Sequence, residues 1–196
     1  MELKFVTTNP VKLSMAKRIL KGYGIKVVAH PLDLAEIQET DTVKVAISKA
    51  RQALHTIRDS SFMVEDTGLN IEALNGFPGA LLKPTMHTIG EKGLLLMVHG
   101  MNRKARFVNT AVFYDNNKGK FHTFTSYSYG RLAMSTSGRN IPGWAVGKIF
   151  IPDGWKKTIA SMGKEELSRY MKDVEDGSHY SDIGQMLGDK IRKRSV

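Results

Sequence analysis

The sequence has no cysteine among its 196 residues. This absence excludes disulfide bonds, thiolate metal ligands and cysteine nucleophiles, and it leaves carboxylates and the six histidines to bind any metal ion. The histidines show no spacing that is typical of a metal site. Because a chain without cysteine suits a reducing compartment, we expect a cytoplasmic protein.

Long apolar runs and two common catalytic motifs are also missing. The apolar run at residues 93–98 is far too short to cross a bilayer, and the chain does not start like a secretory signal. No Gly-x-x-x-x-Gly-Lys-Ser/Thr phosphate loop and no Gly-x-Ser-x-Gly elbow occurs. We therefore expect no membrane segment, and any phosphate chemistry must be built from other residues.

Acidic residues are few relative to basic ones. The chain has 29 Lys and Arg against 19 Asp and Glu, which gives a formal net charge of +10, and residues 190–194 form a basic end. This excess favours a polyanionic partner, either nucleic acid or free nucleotides. A nucleic-acid-binding protein is the alternative to an enzyme here, although a charge excess has many other causes.

The remaining patterns predict a mixed α/β fold. Residues 3–7 alternate like a strand, Asn9 and Pro10 then begin a helix that runs to Leu20, and residues 25–28 form the next strand. A helix follows at residues 43–57, a long hairpin joins residues 105–114 to residues 120–129, and two helices end the chain. We expect one domain, residues 1–196, with two lobes around a cleft.

Hydroxyl and amide side chains lie at the first strand-to-helix connection. Thr7, Thr8 and Asn9 offer them beside the free backbone N–H groups of the helix, and Lys12 lies one turn further on. Such a helix start binds anions, so a triphosphate is a candidate ligand. The alternative is an ordinary helix cap with a solvent-facing lysine.

Two carboxylates follow the apolar residues 62–64. Paired carboxylates at the end of a buried strand suit Mg²⁺, and one of them is positioned to orient an attacking water. Glu65, Asp66 and Thr67 therefore form a predicted acidic turn that binds metal. The alternative is an N-cap or an exposed turn.

Four other residues are weaker candidates. Lys49 and Lys83 are able to bind phosphate, although most lysines only face solvent. Trp144, in a glycine-rich loop, is able to stack on a base, and core packing is its alternative. His179 is able to bond a base edge, unless it is merely exposed or capping.

Taken together, these segments resemble the inosine triphosphate pyrophosphatase family, whose members hydrolyse deaminated purine nucleoside triphosphates to monophosphate and pyrophosphate. Residues 5–12 look like the family's Thr-x-Asn-x-x-Lys signature, and residues 32–38 look like its Asp-Leu-Pro-Glu-Ile-Gln stretch. Residues 64–69 and 73–79, followed by Lys83, resemble its longest shared block. The likeness covers almost the whole chain.

The resemblance implies roles for particular residues. Asp66 would be a metal ligand and the general base, and Glu36 would be a second metal ligand. The expected nucleotide contacts are Thr7, Asn9, Lys12, Lys49, Thr67 and Lys83. It also implies a homodimer that uses Mg²⁺ and an elongated two-lobed mixed-sheet fold with the nucleotide in a central cleft.

The carboxyl-terminal half departs from the family pattern. The family's Phe-Gly-Trp/Tyr-Asp-Pro corresponds to residues 144–148, where Trp144 remains as the stacking aromatic and the aspartate is missing. Its Ser-His-Arg becomes Ser178, His179 and Tyr180, and either Lys172 or Lys164 fills the role of the preceding lysine. Triphosphate cleavage is therefore the expected function, with the same reaction on another base, or nucleotide binding without hydrolysis, as alternatives.

Overall fold

The computed structural model describes residues 1–194, with side chains described as far as Gly188. The strands are β1 Glu2–Val6, β2 Lys26–Ala29, β3 Phe62–Ile71, β4 Pro78–Gly79, β5 Lys104–Asp115, β6 Lys120–Leu132 and β7 Phe150–Pro152. The helices are α1 Pro10–Lys21, α2 Thr42–Thr56, α3 Leu82–Thr88, α4 Gly90–Met97, α5 Lys164–Asp176 and α6 His179–Arg194. Short 3₁₀ turns lie at Glu72–Leu74 and Ile159–Ser161.

All seven strands belong to one mixed sheet. Its order is β2-β1-β3-β5-β6-β7, and β4 pairs with β3 outside this path. β1 is parallel to β2 and to β3, whereas the pairs β3-β5, β5-β6 and β6-β7 are antiparallel. The predicted mixed α/β fold, its opening β-α-β unit and its long hairpin are therefore confirmed.

Helix α1 begins as the sequence predicts. The side-chain oxygen of Asn9 accepts from the backbone N–H of Val11 at 2.9 Å and from that of Lys12 at 3.4 Å. These bonds satisfy two N–H groups that have no partner inside the helix, and Pro10 needs none. The cap fixes the helix start, and with it Lys12, directly after β1.

The acidic residues do not form the turn that we predicted. β3 continues without interruption from Phe62 to Ile71, and β5 pairs with it over its whole length. Pairing with β1 ends at Val64, opposite Val6. The prediction of a turn was wrong because β5 satisfies the backbone of the polar segment, which a single sequence does not reveal.

This correction changes where the side chains point. Successive residues of a strand face opposite sides of the sheet. Glu65 and Thr67 therefore lie on one side of β3, and Asp66 lies on the other. Glu65 and Asp66 are adjacent in sequence, but their side chains therefore lie in two different environments.

Three clusters of buried apolar side chains pack against the sheet. The first lies under α1 and α6 and includes Phe5, Met63 and Tyr180. The second lies under α2 and includes Val64, and the third surrounds Phe150. The first two clusters hold the two faces of β3 in place, while the expectation of a single domain stays a prediction.

In the described part of the chain, residues 1–194, every helix is too short or too polar to cross a bilayer. The cytoplasmic location stays a prediction. The basic end predicted for residues 190–194 lies outside the described side chains.

Candidate functional site

The loop between β1 and α1 forms one wall of the site. Thr7 accepts a hydrogen bond from the backbone N–H of Asn9 at 3.1 Å, and Thr8 is exposed. The Asn9 side-chain oxygen is used by the helix cap, which leaves its amide NH₂ free for a ligand. The structure therefore shows the predicted cap, at a helix start that presents Lys12 to the site.

Asp66 meets two other predicted residues on the α2 side of the sheet. The ammonium of Lys49, on α2, lies 2.8 Å from Asp66 Oδ1 and 2.7 Å from Glu36 Oε1. Only 13% of the Lys49 side chain is exposed, against 52% for Glu36. One partly buried cation thus contacts both predicted metal ligands.

One oxygen of Asp66 has no partner. Asp66 is buried, and its Oδ2 forms no hydrogen bond with the described residues. Burial raises the pKa of Asp66, and the Lys49 ammonium opposes that rise. A buried, partly compensated carboxylate with a free oxygen is suited to accept a proton or to bind a cation.

The positive charges of three lysines act on the carboxylate of Glu36. Burial alone would raise the pKa of Glu36, but the bond from Lys49 and the charges of Lys49, Lys83 and Lys12 together lower it. These lysines come from α2, α3 and α1. Because their charges converge on one region, they form a site suited to a polyphosphate.

The donors present fit a hard divalent cation. Mg²⁺ is usually held by one or two carboxylates together with water and substrate phosphates, and Glu36 and Asp66 supply such a pair. Within residues 1–194, no three His, Asp or Glu side chains cluster to form a complete protein cage. The geometry therefore suits a cation that shares its ligands with a bound phosphate.

Glu65 lies on the opposite side of β3, in a separate cluster. Its side chain is 4% exposed and lies 3.4 Å from the Lys12 ammonium. Thr67 donates its hydroxyl to Glu65 at 3.0 Å, and Tyr180 donates its phenol hydroxyl to the other oxygen. Burial would raise the pKa of Glu65, but Lys12, His179 and Tyr180 outweigh burial and hold the pKa well below its usual range.

His179 and Tyr180 are buried at the start of α6. His179 is 4% exposed and Tyr180 is 1% exposed, and the Nδ1 atom of His179 lies 2.9 Å from the Ser126 hydroxyl. Both side chains therefore point toward Glu65, and His179 also contacts Ser126 on β6. The sequence contains no signal for Ser126, which contacts His179 across 53 residues of chain.

Trp144 packs in the core, as the alternative expected, and its stacking on a base stays a prediction. It is half-buried and packs on Tyr170 with ring centroids 6.0 Å apart, and it also lines a cavity of about 410 Å³. A methyl group at Gly143 would lie 2.4 Å from Val11, so this loop adjoins the first turn of α1. The residue before Trp144 therefore contacts the first turn of α1, whereas the cavity itself is lined from α3, α4 and residues 139–148.

The two candidates for the carboxyl-terminal lysine are not distinguished by their surroundings. Lys164 and Lys172 both lie on α5, and both are exposed. Neither forms an ion pair with the side chains of residues 1–188. The choice between them stays open.

Comparisons with known proteins find similar sequences over most of the chain. The model of the Ham1 family matches residues 3–172, and the match ends before His179 and Tyr180. A dITP/XTP pyrophosphatase of Methanopyrus kandleri is 40% identical over 85% of this chain and 87% of its own length. An inosine triphosphate pyrophosphatase of Kluyveromyces lactis is 33% identical over 86% of this chain and 88% of its own length.

Solved structures support the same fold. A HAM1 protein from Coxiella burnetii superposes with a TM-score of 0.75 at 21% identity, covering 98% of this chain and 99% of that one. The Ham1 protein of Staphylococcus aureus gives a TM-score of 0.73 at 20% identity, covering 99% of this chain and all of that one. At such identities the likeness concerns the fold alone.

Proposed function

The chain belongs to the Ham1 family, and on that premise we propose that it hydrolyses nucleoside triphosphates of deaminated purines to the monophosphate and pyrophosphate. Its relatives include a dITP/XTP pyrophosphatase and an inosine triphosphate pyrophosphatase, and this supports the substrate class. The observation that carries the proposal is the buried Oδ2 atom of Asp66, which bonds none of the described residues, on a carboxylate that the Lys49 ammonium contacts at 2.8 Å.

The lysines supply the binding part of the mechanism. Lys12, Lys49 and Lys83 neutralise the charge of a triphosphate and orient its phosphates in the cleft. Asn9 adds its free amide at the start of α1. Binding of the phosphates by these groups would place the α-phosphorus near Asp66.

Asp66 supplies the chemical part. Its free oxygen orients a water molecule and accepts the water proton as the oxygen attacks the α-phosphorus. The bond between that phosphorus and its bridging oxygen to the β-phosphorus breaks, and pyrophosphate leaves with the bridging oxygen. A raised pKa makes Asp66 a better proton acceptor than an exposed aspartate.

Mg²⁺ is part of the same proposal. Glu36 and Asp66 would hold the ion, which, when bound, neutralises phosphate charge and polarises the phosphoryl oxygens. Lys49 lies between both carboxylates and keeps them close together. A homodimer and a cytoplasmic location remain predictions from the resemblance and from the composition.

A substrate panel tests the proposed reaction. We expect Mg²⁺-dependent release of pyrophosphate from inosine and xanthosine triphosphates, at a higher kcat/KM than from the adenosine, guanosine and uridine compounds. Orthophosphate as the direct product would contradict the reaction itself. Preference for another base would support the alternative of the same reaction on a different nucleotide.

Glu36→Gln tests the metal part. Because a neutral amide is a poorer ligand for Mg²⁺ than a carboxylate, we expect the Mg²⁺ concentration for half-maximal activity to rise by about tenfold or more. The measurement is a Mg²⁺ titration at saturating nucleotide. Glu165→Gln, an exposed glutamate in the first turn of α5, should leave the titration unchanged. If the Mg²⁺ titration of Glu36→Gln were identical to that of the wild-type protein, Glu36 would be excluded as a ligand of Mg²⁺.

A further inference from the structure

Glu65 is a buried carboxylate that three elements contact at once. Lys12 approaches from α1, Thr67 from β3 and Tyr180 from α6. A buried carboxylate is costly unless charges and hydrogen bonds compensate for the lost water. Each of the three contacts therefore helps to keep Glu65 ionised and in one orientation.

The position of the Tyr180 hydroxyl is fixed by the core. Its ring lies in the cluster under α1 and α6 and meets Phe5 edge to face, with centroids 6.1 Å apart. The hydroxyl donates to Glu65 Oε2, and it also lies 3.4 Å from the backbone carbonyl of Lys12. One hydroxyl thus touches both the backbone that carries Lys12 and the carboxylate that faces its ammonium.

The neighbouring His179 fixes the same turn of α6. Its Nδ1 atom lies 2.9 Å from Ser126 on β6, and its Nε2 atom lies 3.6 Å from Glu65 Oε2. Nε2 is buried and has no hydrogen-bond partner among the described residues. The start of α6 is therefore held against β6 and β3 while Tyr180 reaches Glu65.

Lys12 connects this cluster with the phosphate site. Its ammonium lies 3.4 Å from Glu65 Oε1, and its backbone N–H lies 3.4 Å from the side-chain oxygen of Asn9 at the start of α1. Only 23% of the Lys12 side chain is exposed. The orientation of Glu65 therefore decides where one of the three phosphate-binding charges lies.

We propose that Tyr180 is a positioning residue, whose hydroxyl holds Glu65 in the orientation that directs the Lys12 ammonium toward a bound triphosphate. Tyr180 would tune nucleotide binding through Glu65 without touching the nucleotide. The inference rests on the proposed function for its kinetic test, and it requires only phosphate binding for its second test. The competing explanation is that Tyr180 only packs its ring in the core and has no effect on Lys12.

Tyr180→Phe separates these explanations, because it keeps the ring and removes the hydroxyl. We expect the KM for inosine triphosphate to rise about tenfold while kcat changes less than about threefold, since Lys12 binds phosphate in both ground and transition states. Tyr23→Phe, in the same apolar cluster, is the matched control and should change neither constant. An unchanged KM in Tyr180→Phe would overturn the proposal.

A double-mutant cycle tests the route through Lys12. In a Lys12→Ala background, adding Tyr180→Phe should raise KM by less than about twofold, because the group that Tyr180 positions is gone. Additive effects would show that Tyr180 does not act through Lys12. Glu65→Gln provides a second variant if Tyr180→Phe does not fold, and it should raise KM by a similar factor.

Calorimetric binding of inorganic tripolyphosphate gives the same test without turnover. Tyr180→Phe should weaken this binding about tenfold in the wild-type background and less than about twofold in the Lys12→Ala background. If the wild-type protein releases no pyrophosphate, the proposed function fails while this test still decides the role of Tyr180. If pyrophosphate is released and the Tyr180 variants behave like Tyr23→Phe, only the inference fails.

Discussion

Replacing Asp66 with asparagine is expected to lower kcat for pyrophosphate release by about 10³-fold or more. The amide neither accepts the water proton nor binds a cation as a carboxylate does, so the variant loses both proposed roles of one side chain. The measurement is steady-state pyrophosphate release at saturating Mg²⁺ and nucleotide, alongside a circular dichroism melting curve.

The control for this variant is Asp59→Asn, which neutralises an exposed aspartate just before β3. It should retain wild-type activity. We expect Asp66→Asn to stay folded, because the amide keeps the size of the side chain and an oxygen that accepts the hydrogen bond from Lys49. More than a tenth of the wild-type kcat in a folded Asp66→Asn protein would exclude Asp66 as the base.

Gly79→Ala is expected to destabilise the fold strongly, by about 3 kcal/mol or more. Gly79 has a φ of +56°, and an added methyl group would lie 2.2 Å from the backbone carbonyl oxygen of Thr40. That carbonyl accepts the backbone N–H of Ala80 at 2.8 Å, so the loop has little room to move away. Chemical denaturation monitored by circular dichroism measures the loss.

Gly154→Ala separates backbone strain from steric overlap. Gly154 has a φ of +78°, and no atom lies within 4 Å of the position that its methyl group would take. This variant should lower the free energy of unfolding by only about 1 kcal/mol, the usual penalty for a residue other than glycine in the left-handed conformation. If both variants lost the same free energy of unfolding, steric overlap with Thr40 would contribute nothing to the destabilisation of Gly79→Ala.

The same contact links stability to the site. Gly68, on β3, packs directly against Gly79, and a methyl group at Gly68 would lie 2.6 Å from the Gly79 backbone. The loop that ends at Gly79 leads within a few residues to Lys83 on α3. The close approach of two glycines therefore helps to position Lys83, a proposed phosphate ligand, relative to Asp66.

Local sequence signals determined much of the fold. The cap at Asn9 and Pro10 predicted the start of α1, and the apolar spacing along residues 43–57 predicted α2. Turn residues between two alternating segments predicted the hairpin of β5 and β6. Each of these signals depends on residues within a few positions of one another, so one sequence is sufficient to find it.

The sequence by itself also singled out Asp66, Lys49 and Glu36 as candidates, through residue type and family resemblance. Only the tertiary structure put Glu65 and Asp66 on opposite sides of one strand, because β5 had to pair with β3 to extend it past Val64. Only the fold brought Tyr180 to Glu65 across 115 residues. Contacts so distant in sequence leave no local periodicity, since they form only when separate elements pack together.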